Sequence, residues 1–290
     1  MRRSWAEVRY RWLLPLTRRS RTNGRAYARL VARVEYAADA ERARVAARRI
    51  AGALGTTAGE AARIFRRCLA SEALEEADTV FFMATQRDAI DRSVFRCDAL
   101  PERTAGSSGT VYATLHFGSP VLGYLALGSG RDEAVSIVGR PLDGANPMPS
   151  AKRDYARGKV AWVERVTGRP FLGTDGLAMA RAREELLAGR SLYTPVDVPG
   201  SVAGRAATVA PFGEPIRLAS GLMTLARVAG ADVVPVVTLS TPAGFTIELG
   251  PRLAPSLGDA LLEETMAALA CFVRAHPDEW WMWPYLESAA

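Results

Sequence analysis

The sequence predicts an α/β protein with a mostly parallel central sheet, helices on both faces and an N-terminal helical layer. Up to residue 100 it reads as helix: Ala, Arg and Leu dominate Arg25–Leu54, and helical periodicity continues over Ala61–Phe82. From residue 110, short apolar runs alternate with helical stretches, the pattern of buried parallel strands joined by crossover helices. At 290 residues and 49% hydrophobic, the chain can bury a large core. Two regions are expected: helical residues 1–100, with a membrane or carrier-protein contact, and an α/β core over 101–290.

Taken in order, Gly55-Thr-Thr-Ala-Gly-Glu60 sets Thr57 three residues before Glu60, a capping-box spacing that starts a helix. Arg103-Thr-Ala-Gly-Ser-Ser-Gly109 is a turn-rich break. Strands are expected at Val111–Leu115, Ala134–Val138, Ser191–Val196, Ala231–Leu239 and Phe245–Leu249. Helices are expected at Pro120–Leu127, Ser150–Val166, Leu177–Leu187 (with Gly189 past its end) and Ser220–Val228. Thr241-Pro-Ala-Gly244 reads as a hairpin turn between the last two strands. A final helix, Leu257–Val273, leads to His276-Pro-Asp-Glu-Trp-Trp-Met-Trp283. There is no internal repeat and no low-complexity segment.

Residues 1–50 hold fourteen arginines against four acids, an excess of +10 within a net charge of +6. Only Lys152 and Lys159 are lysines, so coding bias accounts for part of the arginine count. A basic N-terminal region favours an acidic partner: an anionic membrane surface or an acidic carrier protein. No nucleic-acid-binding motif accompanies it, so no nucleic-acid partner is expected. Trp5, Tyr10, Trp12, Leu13, Leu14 and Leu16, set among Arg2, Arg3, Arg9, Arg11, Arg18 and Arg19, suit a membrane interface or a helix packed on the body. No run of 18 apolar residues occurs, and Trp12-Leu-Leu-Pro-Leu16 is too short for a signal-peptide core. The expected location is the cytoplasm, either soluble or peripheral on the inner face of the membrane. Cys68, Cys97 and Cys271 lie far apart without a CxxC, which suggests buried, reduced thiols, and two histidines make a zinc site improbable.

One of those histidines sits in Val111-Tyr-Ala-Thr-Leu-His-Phe-Gly-Ser-Pro120, where a strand passes through a turn into a helix. Open α/β sheets place their sites at the carboxyl ends of strands. His116 is therefore a candidate general base, with the amides of Gly118 and Ser119 as oxyanion donors at a helix start. Ser119 reads as a turn residue, not a nucleophile. The alternative is a structural histidine satisfied by a backbone carbonyl.

Several segments add to this: Leu115-His-Phe-Gly-Ser119, Gly139-Arg-Pro-Leu142, Arg157-Gly158, Leu187-Ala-Gly-Arg-Ser191, Pro195-Val-Asp197, Pro211-Phe-Gly213, Ser220-Gly221, Leu225–Ala231, Val234-Pro235 and the closing His-Pro-x-x-Trp. In order and spacing, from residue 25 to 285, they resemble the lysophospholipid acyltransferase superfamily, most nearly its lipid A late acyltransferase branch. The resemblance implies a His-x4-Asp/Glu motif whose acid orients the imidazole. Here the acid position is Val121, preceded by Pro120. Either another carboxylate fills the role, or His116 works unaided, or the site only binds. Asp197 leads the first option because it follows a parallel strand; its plain reading is a cap or turn before Val198-Pro199-Gly200. Arg140 and Arg217 are candidates for a phosphate or carboxylate of the substrate, or for surface ion pairs. His276 reads as structural, and Trp280–Trp283 with Tyr285 as closing the core or a channel wall.

The resulting expectation is an acyltransferase with an acyl carrier protein or acyl-CoA thioester as donor. The acceptor would be an amine or hydroxyl of a small metabolite or unusual lipid. The chemistry calls for no metal or redox cofactor. The alternatives are an O-acyltransferase acting on a membrane glycolipid and a non-catalytic subunit that binds an acyl chain or carrier.

Overall fold

A computed structural model of the chain describes residues 2–97, 108–128, 135–139, 148–173, 176–202 and 204–288. The first part is helical: α1 (Arg2–Glu7), a π-helical turn at Val8–Leu13, a 3-10 segment at Leu14–Arg19, then α2 (Arg21–Ala38), α3 (Ala40–Leu54) and α4 (Ala58–Thr85). The Arg25–Leu54 run is two helices because Asp39 leaves the helical conformation and caps the second, accepting the Arg42 N–H. Thr57 caps α4, its Oγ1 accepting the Glu60 N–H at 3.2 Å.

Strands and helices then alternate: β1 (Phe95–Cys97), β2 (Thr110–Thr114), α5 (Pro120–Gly128), β3 (Val135–Gly139), α6 (Ser150–Thr167), β4 (Leu172–Gly173), α7 (Gly176–Leu187) and β5 (Ser191–Pro195). After the short strands β6 (Ala206–Val209) and β7 (Ile216–Ala219) come α8 (Gly221–Ala229), β8 (Asp232–Thr241), β9 (Gly244–Leu249) and α9 (Leu261–Ala275). Seven strands form one sheet in the order β1-β9-β8-β2-β5-β3-β4. All its pairings are parallel except β8–β9, the expected hairpin closing at Thr241↔Gly244. Every residue of β2 is buried. Val111, Ala113 and Leu115 join a core shared with α3, α4, α7, α8 and α9, while Tyr112 joins a second core with Tyr124 of α5 and Trp162 of α6. Both faces of this central strand are therefore covered.

The sequence pattern misses β1 and β4, too short at three and two residues to show a period. It also misses the antiparallel pair β6–β7, whose half-exposed residues carry no alternation strong enough to read. The last helix starts at Leu261 because Gly258 at φ +62 interrupts a preceding 3-10 segment. Of the three thiols expected to be buried, Cys68 is, Cys97 is half-buried and Cys271 is exposed.

The basic start of the chain divides between interior and surface. Arg9 is buried, with Nη2 2.6 Å from Glu76, Nε donating to Tyr27 at 3.1 Å and an ion pair to Glu35; Tyr10 donates to Glu76 at 2.6 Å. Arg21 pairs with the fully buried Asp78, which also accepts from Ser240 of β8. Arg9, Tyr10 and Leu14 thus face the body, whereas Arg11, Trp12, Leu16, Arg18 and Arg19 remain exposed. Among the described residues no helix is long and apolar enough to cross a membrane.

Parallel pairing of β2 with β5 aligns Thr114 with Pro195, so the chain leaves both strands on the same side, through His116 and Asp197. Beyond His116, Gly118 adopts φ +56, and a Cβ there would lie 2.0 Å from the Thr238 carbonyl oxygen. Only glycine fits that turn. Gly118→Ala should destabilise the fold by at least about 1–2 kcal/mol from the left-handed backbone alone, with the clash added, measurable by urea unfolding.

Candidate active site

Asp197 lies at the carboxyl end of β5, fully buried, and its two oxygens receive three hydrogen bonds. His116 Nδ1 is 2.7 Å from Oδ1, the His116 backbone N–H donates to Oδ2 at 2.8 Å, and Trp280 Nε1–H donates to Oδ2 at 2.8 Å. An ionised carboxylate only accepts, so the Nδ1–H tautomer is fixed and Nε2 is left as the basic nitrogen. The peptide of Trp281 donates to the His116 carbonyl at 2.9 Å, and Phe117 bridges to Trp280. The Trp-rich segment therefore holds the histidine's backbone and its acid together. Tyr285, expected to help close the core, is 48% exposed; Trp280 and Trp283 are fully buried.

The His116 side chain is 39% exposed and opens on a cavity of about 370 Å³. Its lining combines apolar side chains, among them Val121, Ile137, Val138, Val160, Val163 and Phe171, with Glu72, Glu75 and Glu76 of α4 and Lys152, Tyr155 and Lys159 of α6. Val121, at the position where the resemblance implies an acid, is one of the apolar lining residues.

Burial disfavours the charged imidazole, but the Asp197 charge, its hydrogen bond and Glu72 outweigh that, raising the His116 pKa above its ordinary 6.5. Burial would raise Glu72, yet Lys152, Arg9, Arg42 and His116 together hold it below the usual carboxylate range. Glu75 is raised, first by burial and then by Glu76, against the pull of Lys159.

The other expected site residues fare differently. The Gly118 N–H donates to the Glu279 carbonyl at 3.0 Å and the Ser119 N–H to the Thr238 carbonyl at 2.8 Å. Both amides are already committed to backbone acceptors, which corrects their assignment as oxyanion donors. Arg217 lies exposed on β7, its stem against Gly200 and its charge near Glu287, and it does not line the cavity. Arg140 lies outside the described residues. His276 ends α9, where its N–H donates to Phe272.

The charged wall on α4 and α6 was not among the expected site residues. Its one sequence signal is that the only two lysines, in a chain otherwise using arginine, lie seven apart on one helix. Among the described residues no group of three or more His, Cys, Asp or Glu side chains could hold a metal ion. Neither a family model nor a curated protein matches the chain.

Imidazole NMR should show His116 titrating above 6.5, with Asp197→Asn bringing it down and His116→Gln assigning the resonance. By linkage the pair adds stability that is full below the unfolded-state value of about 6.5 and is lost as pH rises through the higher folded value.

Proposed function

We propose that the protein is a thioester-dependent acyltransferase with His116 as general base, held and polarised by Asp197. The carrying observation is the 2.7 Å His116–Asp197 contact at a cavity lined by both apolar and charged side chains. The apolar lining suits the acyl chain, and the charged lining suits the acceptor. A neutral Nε2 takes the proton from the acceptor amine or hydroxyl as it attacks the thioester carbonyl; the proton then passes to the departing sulfur. Because Asp197 replaces an acid at position 121, His116 acts with help, not alone.

With the Gly118 and Ser119 amides committed, the start of α5, whose Pro120 and Val121 line the cavity, provides the positive dipole end for the developing oxyanion. The donor is a carrier-protein or CoA thioester and the acceptor a small metabolite or unusual lipid. The segments quoted above, with their likeness to the lysophospholipid acyltransferases, support the same reaction class. The N-terminal helices form the partner-facing region of this reading, and the protein works in the cytoplasm.

A second reading, transfer to a membrane glycolipid, is favoured by one feature. Trp12 and Leu16 are 71% and 58% exposed among Arg11, Arg18 and Arg19. Cosedimentation with anionic vesicles that is lost in Trp12→Ser/Leu16→Ser would support it; equal binding of both forms would remove it.

The primary test uses acyl carrier proteins loaded with chains of several lengths and a mixture of amines and alcohols, read by intact mass. His116→Ala should abolish transfer, and Asp197→Asn should lower kcat by about 10²–10⁴-fold. Identical consumption of the thioester by wild type and His116→Ala would leave the non-catalytic binding role in place of the enzyme.

A further inference from the structure

The α4–α6 wall of the His116 cavity is a ladder of two rungs. Lys152 Nζ lies 3.8 Å from Glu72 Oε1, and Lys159 Nζ lies 3.6 Å from Glu75 Oε1. Both separations are ion pairs too long to be hydrogen bonds. The neighbouring Glu76 differs: it accepts from Arg9 and Tyr10 at 2.6 Å each and from Tyr27 at 3.2 Å, and so belongs to the fold. Between the two lysines on α6, Tyr155 keeps its Oη buried beside Thr79, whose hydroxyl donates to Glu75 at 3.2 Å. Lys152, Lys159 and Glu72 stay partly exposed at the cavity, and neither lysine commits a hydrogen bond to its glutamate, which leaves their charges available to a ligand.

Both signs of charge stand side by side on this wall. A ligand of one sign would meet a repelling member in each rung, whereas a dipolar ligand meets an opposite charge for each of its own. Lysine suits this better than arginine. A guanidinium would fork onto its glutamate in a bidentate pair and close the rung, while an ammonium is compact and leaves donors for a second anion. Glu72 and Lys159 both act electrostatically on His116, so the ladder shares the space where the base works.

We propose that this ladder is the acceptor site, and that the acceptor is a small zwitterion of the amino-acid type. Its amine is the nucleophile, and its carboxylate is held by Lys152 and Lys159. Glu72, the more exposed acid of the ladder, receives the amino group, and Glu75 holds Lys159 in place behind it. This rests on the acyltransferase reading and narrows it to amide formation. The amine nitrogen attacks the thioester carbonyl carbon, a C–N bond forms and the C–S bond breaks. The zwitterion's ammonium first gives one proton to solvent; as the neutral amine attacks, a second nitrogen proton passes through His116 Nε2 to the thiolate, leaving an N-acyl amino acid and a free thiol.

Two measurements on the full chain test it. The first is binding without donor: thermal shift and saturation-transfer NMR with the twenty common amino acids, the amines lacking their carboxylates and the acids lacking their amino groups. Zwitterions should bind, and the amines and acids should bind at least about tenfold more weakly. Lys159→Arg keeps the charge but closes its rung and should remove the preference. Glu72→Gln should do the same from the other side. The second is turnover with loaded carrier protein, where both variants should raise KM for the amino acid at least about tenfold while changing kcat less. A purely structural ladder would lower the melting temperature in the variants and leave the zwitterion-to-amine ratio unchanged; that result, or binding of no zwitterion, overturns the proposal. Zwitterion binding with no His116-dependent turnover would keep the ladder as a ligand site and overturn the transferase reading instead.

Discussion

Asp197 makes each of its hydrogen bonds to the end of β2 or to the Trp-rich segment near residue 280, and all three must be present together. A carboxylate at zero exposure is tolerable only when its oxygens are fully occupied, because an unpaired buried charge costs several kcal/mol. One donor is the His116 backbone and another its ring, so the constraint that buries the acid also sets the imidazole's tautomer and direction. Trp281 then grips the His116 carbonyl, and Gly118 turns the chain into α5. The geometry at the cavity is a by-product of satisfying one carboxylate.

A second set of acids, buried except for the half-buried Glu72, organises α4. Glu76 and Asp78 face cations from the first twenty-one residues, Arg9 and Arg21, while Glu72 and Glu75 face lysines of α6. Part of the basic excess at the start of the chain is therefore internal counter-charge, and only part is left for a partner surface. Glu72, Glu75 and Glu76 all border the cavity, but Glu76 is held by three hydrogen bonds while Glu72 and Glu75 meet their lysines at longer range.

Much of this was legible in the sequence. The parallel sheet and its helices follow from alternation of apolar runs, and the placing of His116 and Asp197 follows from one rule, that parallel strands end on the same side. The rule works without coordinates because it depends only on strand direction. Short strands such as β4 escape it, having too few residues for a period. The Gly118 and Ser119 amides escaped for another reason: which carbonyl an N–H reaches is settled by Thr238 and Glu279, more than a hundred residues away. Arg217 failed likewise, since the β6–β7 pair that carries it to the surface leaves no clear pattern. The lysine pair was visible as composition but had no meaning until α4 lay opposite.

The spread of these contacts along the chain also sets an order of events during synthesis. His116 emerges from the ribosome eighty-one residues before Asp197 and more than a hundred and sixty before Trp280. While translation is under way, β2 and its histidine can be sheltered by the upstream helices, but the acid has no complete set of donors until the Trp280 segment arrives. The His116–Asp197 pair is thus among the last features of the molecule to mature, and a nascent chain carries the histidine long before it carries the contacts that fix it.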